Sequence, residues 1–287
     1  MNNEPRRAFL KRLRYLAAAP VLAGGGSYAW GSTLERHRLV VEKHDLPLAL
    51  GASGPQKFRA LVLSDFHFDP LFEHDYILEC VRRANELKPD IVFLLGDYIS
   101  KSVARVDELA EILSKLEQRS GIYACLGNHD HWEDPRYVIK CLDKTGIVPL
   151  MNQHTRVPCA GGDLIVAGLA SVWGGDPRWS DASHGLKADD RIITLMHEPD
   201  YIGQLRPDAK RIALQLSGHT HGGQVCLPGI GALRLPRWGH KYEAGFYDVD
   251  GIKLYVTRGI GTVHVDVRLF CPPEITCFDI TNTSHAV

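Results

Sequence analysis

How this chain folds turns on one run of residues, Ile212-Ala213-Leu214-Gln215-Leu216-Ser217-Gly218-His219-Thr220-His221-Gly222-Gly223. A mostly apolar segment ends abruptly in small residues and two histidines. That is the pattern of a buried strand whose C-terminal edge opens into a crevice. Two histidines one residue apart reach two neighbouring metal ions more readily than they share one. The flanking glycines let the backbone come close without a Cβ in the way. By itself a His-x-His pair is weak evidence, because a histidine is more often a core or surface residue than a ligand. The test is whether the chain supplies further ligands in equivalent places.

It does. Phe58 to Leu63 runs into Ser64-Asp65-Phe66-His67, and Ile91 to Leu95 runs into Gly96-Asp97. Ile122 to Leu126 runs into Gly127-Asn128-His129-Asp130, and Ile192 to Met196 ends at His197. Between them, Glu73 to Leu87 has helical spacing (Ile77, Leu78, Val81, Ala84, Leu87) and stops at Pro89, and Val106 to Leu116 repeats the pattern. Strands joined by helices predict right-handed crossovers and a parallel sheet covered on both faces. A helix is expected over Pro135 to Leu142, then short strands around Val148, Arg156 and Leu164-Ile165-Val166. Leu254-Tyr255-Val256, Val265 to Phe270 and Ile275 to Ile280 read as antiparallel hairpin material. The expectation is an α/β fold of two packed sheets with helices outside, one domain over residues 58–287, preceded by a linker and edge strand over 30–57.

Strand ends are where open α/β sheets place their sites. The candidate metal ligands are Asp65, His67, Asp97, Asn128, His197, His219 and His221. One site is expected to take Asp65, His67 and His221, the other Asn128, His197 and His219, with Asp97 bridging. Imidazole and carboxylate ligation without thiolate suits Mn, Fe, Zn or Co rather than Ca or a structural zinc. Two divalent ions less Asp65, Asp97 and a hydroxide leave a positive residue of charge, which favours in-line attack of hydroxide on a phosphate ester. His129, beside Asn128, is placed to protonate the leaving alkoxide.

These motifs, Asp65-Phe66-His67, Gly96-Asp97, Gly127-Asn128-His129-Asp130, His197 and Gly218-His219-Thr220-His221, resemble the ordered motif set of the calcineurin-like metallophosphoesterases over roughly residues 58 to 280. His197-Glu198-Pro199-Asp200, Gly222-Gly223-Gln224 and Arg258-Gly259-Ile260-Gly261 bring the resemblance closer to the twin-arginine-bearing YkuE/YaeI-type phosphodiesterases. The resemblance implies a four-layer αββα sandwich, a dinuclear centre with the ligands above, and phosphoester hydrolysis. The family often carries an aspartate three residues after the bridging one, where it orients the catalytic histidine. Here that position is Ser100. A phosphodiesterase is expected, with a cell-envelope or lipid-linked phosphodiester as substrate; a UDP-2,3-diacylglucosamine-type pyrophosphate is one candidate. Its rivals are a phosphomonoesterase and a non-catalytic scaffold of the same fold.

Other residues are weighed against plainer roles. Asp130 reads as a turn residue or a support to the ligands, and His131 as solvated or supporting. Arg258, His264 and Arg268 are candidates for contact with substrate phosphate, against the commoner role of a solvated charge. Trp173, Trp179 and Trp238 either shape a pocket or pack beneath loops. Trp238 and Arg258 stand as the candidate substrate contacts.

The 287 residues, 45% hydrophobic and 23% charged, with a net charge of -1, give no general pull toward nucleic acid, and none is expected to bind. The seven cysteines form no CxxC and no disulfide framework; Cys80, Cys125, Cys141 and Cys277 read as small buried hydrophobes. The first residues differ from the rest. Arg6-Arg7-Ala8-Phe9-Leu10-Lys11, then an apolar Tyr15 to Val21 and the glycines 24–26, give residues 1–29 the layout of a twin-arginine export signal, either cleaved after Ala29 or retained as an N-terminal anchor. The twin-arginine machinery, an extracytoplasmic membrane-associated or periplasmic location, and a monomer are the corresponding expectations.

Overall fold

The computed structural model describes residues 24–68 and 74–285. Most of the expected export signal therefore lies outside the described residues; those from 24 to 33 are helical, as α1. There follow β1 (Val40–Leu48), β2 (Lys57–Leu63), α2 (His74–Glu86), β3 (Ile91–Leu94), α3 (Val106–Leu113), β4 (Ile122–Ala124), α4 (Asn128–Glu133), α5 (Pro135–Lys144) and β5 (Ile147–Pro149). The second half runs through β6 (Gln153–Cys159), β7 (Gly162–Gly168), β8 (Ile192–Leu195) and β9 (Ile212–Ser217). After it come a small ribbon of β10 (Cys226–Leu227) and β11 (Gly231–Ala232), then β12 (Gly245–Val249), β13 (Ile252–Val256) and β14 (Glu274–Asn282).

Two six-stranded sheets result, ordered β1-β14-β2-β3-β4-β5 and β12-β13-β9-β8-β7-β6. Strand alternation sorts the core into layers. Leu61, Leu63, Val92 and Leu94 point to α2, α3 and α5, where Ile77, Cys80, Val81 and Ala84 form the buried stripe of α2. Ala60, Val62, Ile91 and Phe93 point the other way, against Ile193, Leu195, Leu214 and Leu216 of the second sheet. A third cluster, with Ile192, Ile202, Leu205 and Ala182, lies on the far side of that sheet under its short helices. This is the αββα sandwich. The helix over 135–144 starts where expected because Pro135 fits its first turn and the Asp134 carboxylate accepts the Tyr137 N–H at 3.0 Å.

Two expectations need correcting. Ile275 to Ile280 is not hairpin material: β14 lies inside the first sheet, parallel to β1 and antiparallel to β2. It is apolar on both faces, with Ile275, Cys277, Phe278 and Ile280 all buried, so only an interior position covers it. Val265 to Phe270 forms no ladder strand, only an isolated bridge from Leu269 to Val225. The segment is organised instead by Arg268, which is fully buried and donates to the carbonyls of Arg258, Gly261 and Cys271 at 2.8, 2.7 and 3.1 Å. Arg268 is therefore neither a solvated charge nor a phosphate contact. β1, the expected edge strand, is the edge of the first sheet, so the sandwich takes in residues ahead of 58.

Candidate metal centre

The C-terminal ends of β2 and β3 in one sheet and of β8 and β9 in the other open on the same side, and the loops leaving them meet. Asp65 N–H donates to Gly96 O at 2.9 Å and His67 N–H to Asp97 O at 3.0 Å, tying the first two loops together. The second sheet is drawn in by His219 N–H, which donates to Asp65 Oδ1 at 2.9 Å. Gly127 and Gly218 make this approach feasible: a Cβ on Gly127 would stand 2.1 Å from Asp97 Oδ1, and one on Gly218 2.3 Å from Asp65 Oδ2. Asp65, His67, Asp97, His219 and His221 all adopt left-handed backbone, with φ of 56, 43, 52, 73 and 52°. Such conformations cost non-glycine residues about 1–3 kcal/mol each and persist only where the surroundings over-determine them.

All seven predicted ligands are buried and gathered in one place. The ligand atoms of Asp65, His67 and His221 lie within 4.8 Å of one another, as do those of Asp97, His197 and His219. Asp97 Oδ2 sits between the groups, 3.4 Å from His67 Nε2 and 3.2 Å from His197 Nε2. Asp65 Oδ1 is 3.5 Å from His221 Nε2 and 3.9 Å from His197 Nε2. Ring orientation is fixed from outside: His197 Nδ1 donates to Leu95 O at 2.6 Å and His219 Nε2 to Arg237 O at 2.7 Å, which leaves the other nitrogen of each ring for the centre.

The donor chemistry fits cations. Burial lowers the pKa of His67 and of His219 to about 3, so both rings are neutral with a lone pair to give. Burial pushes Asp97 up and His197 down, but the pair they form at 3.2 Å outweighs it, holding Asp97 well below and His197 well above its usual range. Asp65 is raised to about 6, by burial first. His67 Nε2 and His221 Nε2 face each other at 3.0 Å, and Asn128 Oδ1 is buried with no hydrogen-bond partner among the described residues. Two ring nitrogens held face to face and an orphaned amide oxygen are what a cation would satisfy.

His129 is oriented without a carboxylate. Its Nδ1–H donates to the backbone carbonyl of Ser100 at 2.7 Å, and its backbone N–H to Asp97 Oδ1 at 3.0 Å. The Asp130 carboxylate accepts the N–H groups of Asp97, Tyr98 and Gly127 at 2.9, 2.9 and 2.8 Å and so clamps two ligand loops together. Glu198 does the same on the other side, accepting from Ser171 Oγ and from the Val172 and Trp173 N–H groups at 3.2 Å. Asp200 accepts the His240 N–H at 3.1 Å. The sequence His197-Glu198-Pro199-Asp200 thus offers one candidate ligand and anchors two loops over the site.

Above the centre is a cleft of about 630 Å³, within the range of small-molecule sites. Its walls include His129, Trp132 and Trp173, the two tryptophans packed edge to face at 4.8 Å. Its mouth carries Leu233, Arg234, Arg237, His264 and Val265. The expected substrate contacts are placed elsewhere. Arg258 Nη2 is paired with Glu42 at 2.7 Å and Nε with Glu274 at 3.0 Å, behind the His221 turn, and Trp238 does not line the cleft. Sequence reasoning missed Trp132, Arg234 and Arg237. Trp132, four residues beyond Asn128 at the start of α4, carried the only local signal.

Carboxylates and imidazoles from two sheets, gathered around a shared aspartate, define a metal-assisted hydrolase. Residues 58–223 match the calcineurin-like phosphoesterase family, and the chain belongs to it: it is a metallophosphoesterase. It is 32% identical over 290 residues to a metallophosphoesterase of Bacillus subtilis, YkuE, covering 99% of this chain and all of that one. It is 28% identical over 276 residues to Escherichia coli phosphodiesterase YaeI, covering 94% of this chain and 99% of the relative. Among solved structures, the NAD nucleotidase of Haemophilus influenzae aligns with a TM-score of 0.48 at 14% identity, over 71% of this chain and 45% of that one.

Proposed function

We propose that the protein is a two-metal phosphodiesterase acting on a cell-envelope or lipid-linked phosphodiester, outside the cytoplasmic membrane and as a monomer. The observation that carries the reading is Asp97 Oδ2, held between His67 of one ligand group and His197 of the other. Asp65, His67 and His221 would hold one ion, Asn128, His197 and His219 the second, with Asp97 common to both. Two divalent ions, of Mn, Fe, Zn or Co, supply positive charge at the phosphoryl oxygens and make hydroxide available near neutral pH.

The rest is done by the chain. His129, fixed through Nδ1 on Ser100, offers Nε2 to the leaving-group oxygen and protonates it. Trp132 and Trp173 wall the cleft beside it. Arg234 and Arg237 bring positive charge to a mouth whose neighbours Leu233 and Val265 are apolar and exposed, a pairing that suits an amphiphilic phosphodiester such as a UDP-2,3-diacylglucosamine-type pyrophosphate. The name of YaeI supports diester over monoester. The Arg6-Arg7 signal supports export. No helix among the described residues is long and apolar enough to cross a membrane.

Protein purified without chelator is expected to carry about two metal equivalents and to hydrolyse aryl phosphodiesters faster than monoesters. Absence of bound metal, with no hydrolysis in added Mn, removes the enzymatic reading. A panel of lipid-linked and soluble nucleotide diesters tests the substrate class, and faster turnover of the soluble ones removes the lipid assignment.

A further inference from the structure

Behind the metal ligands two thiols converge on one atom. The Cys226 and Cys271 sulfhydryls hydrogen-bond the carbonyl of Gly222 at 3.1 and 3.2 Å, and Cys271 also reaches that of His221 at 3.2 Å. Their backbones already run side by side: Val225 bridges Leu269, and Cys226 N–H donates to Leu269 O at 2.9 Å. Cys226 is half-buried and meets solvent, whereas Cys271 is enclosed, with Arg268 Nη1 4.0 Å from its sulfur. Neither cysteine belongs to an apolar core cluster, unlike Cys80, Cys125, Cys141 and Cys277.

We propose that Cys226 and Cys271 form a reversible disulfide beneath the His221–Gly222 turn, joining the ribbon that borders the cleft to the segment behind the ligands. With a small-molecule disulfide as oxidant the step balances. The accessible Cys226 thiol, giving up its proton to solvent, attacks one oxidant sulfur and expels a thiol; Cys271 then attacks the Cys226 sulfur and expels the second. One protein S–S bond forms, two S–H bonds are lost, and two electrons reduce the oxidant to two thiols. The bond would pin the chain entering Leu233 to Arg237, whose last carbonyl fixes His219, and would restrict the His221 turn directly. Oxidation therefore slows escape of the ions and stiffens the mouth of the cleft.

The metal-loaded full chain would be equilibrated with oxidised and reduced glutathione mixtures, alkylated, digested and mapped. The expected result is a peptide pair joined through Cys226 and Cys271 that dithiothreitol separates. A thermal midpoint raised by about 5–10 °C and slower release of metal to a chelator should accompany it. Cys226→Ser, at the more exposed position, should abolish both effects and leaves the measurement open if Cys271 variants fail to fold. Alkylation of both thiols after full oxidation overturns the proposal. So does a stable glutathione adduct on Cys226, or an unchanged oxidant-dependent midpoint in Cys226→Ser.

Discussion

His129 is held by a backbone oxygen, and that single hydrogen bond separates two substitutions sharply. His129→Ala is expected to lower kcat/KM by about 10²–10⁴-fold for an alkyl phosphodiester and far less for a nitrophenyl ester, whose leaving group needs no proton. Equal losses on both esters would argue against an acid role. Ser100→Ala keeps the carbonyl and should leave kcat/KM within about two-fold of the parent; a large loss would mean that the hydroxyl orients the ring. The sequence showed the seven buried side chains because each is a polar residue standing where an apolar run breaks off. It could not show the Ser100 carbonyl, since every residue offers one and only the turn after β3 brings this one to His129.

At the scale of the element, the loops at the strand ends are locked to one another by carboxylates that touch no ligand atom. Asp130→Ala would leave three buried N–H groups without their acceptor, each worth about 1–3 kcal/mol. Metal affinity should fall about 10–100-fold, read by competition with a chromophoric chelator. Asp130→Asn, which keeps one acceptor oxygen, should lose less of both; indifference to either change would mean that the clamp is unimportant. Gly218→Ala places a methyl group 2.2 Å from Ser64 Oγ and 2.3 Å from Asp65 Oδ2. Metal content by mass spectrometry should drop in that variant while the strand cores stay intact. The glycines were readable as close-approach positions because they flank the ligands. Asp130 and Arg268 were not, because what they bind is main chain from remote segments.

For the molecule as a whole, the first sheet ends in β1, and β1 covers the long apolar β14. A chain beginning at residue 58 would leave β14 with an exposed edge of nine residues. Such a chain should aggregate on size-exclusion chromatography, whereas one beginning at residue 24 should stay monodisperse; equal behaviour would show that β1 is dispensable. The parallel order β2-β3-β4 was legible because continuous apolar runs alternate with amphipathic helices. The place of β14 was not. Its partners are more than 200 residues away on one side and antiparallel on the other, and neither relation leaves a local period in the sequence.

Five of the seven candidate ligand positions lie in backbone territory better suited to glycine. Natural selection for turnover and selection for heat tolerance should therefore pull these codons in opposite directions. A library screened only for thermal survival, with no demand for catalysis, should accumulate Gly or Asn at 65, 67, 97, 219 and 221 ahead of the rest of the interior. Deep sequencing of the survivors would show whether the catalytic heart of the enzyme is also its weakest stretch of polypeptide.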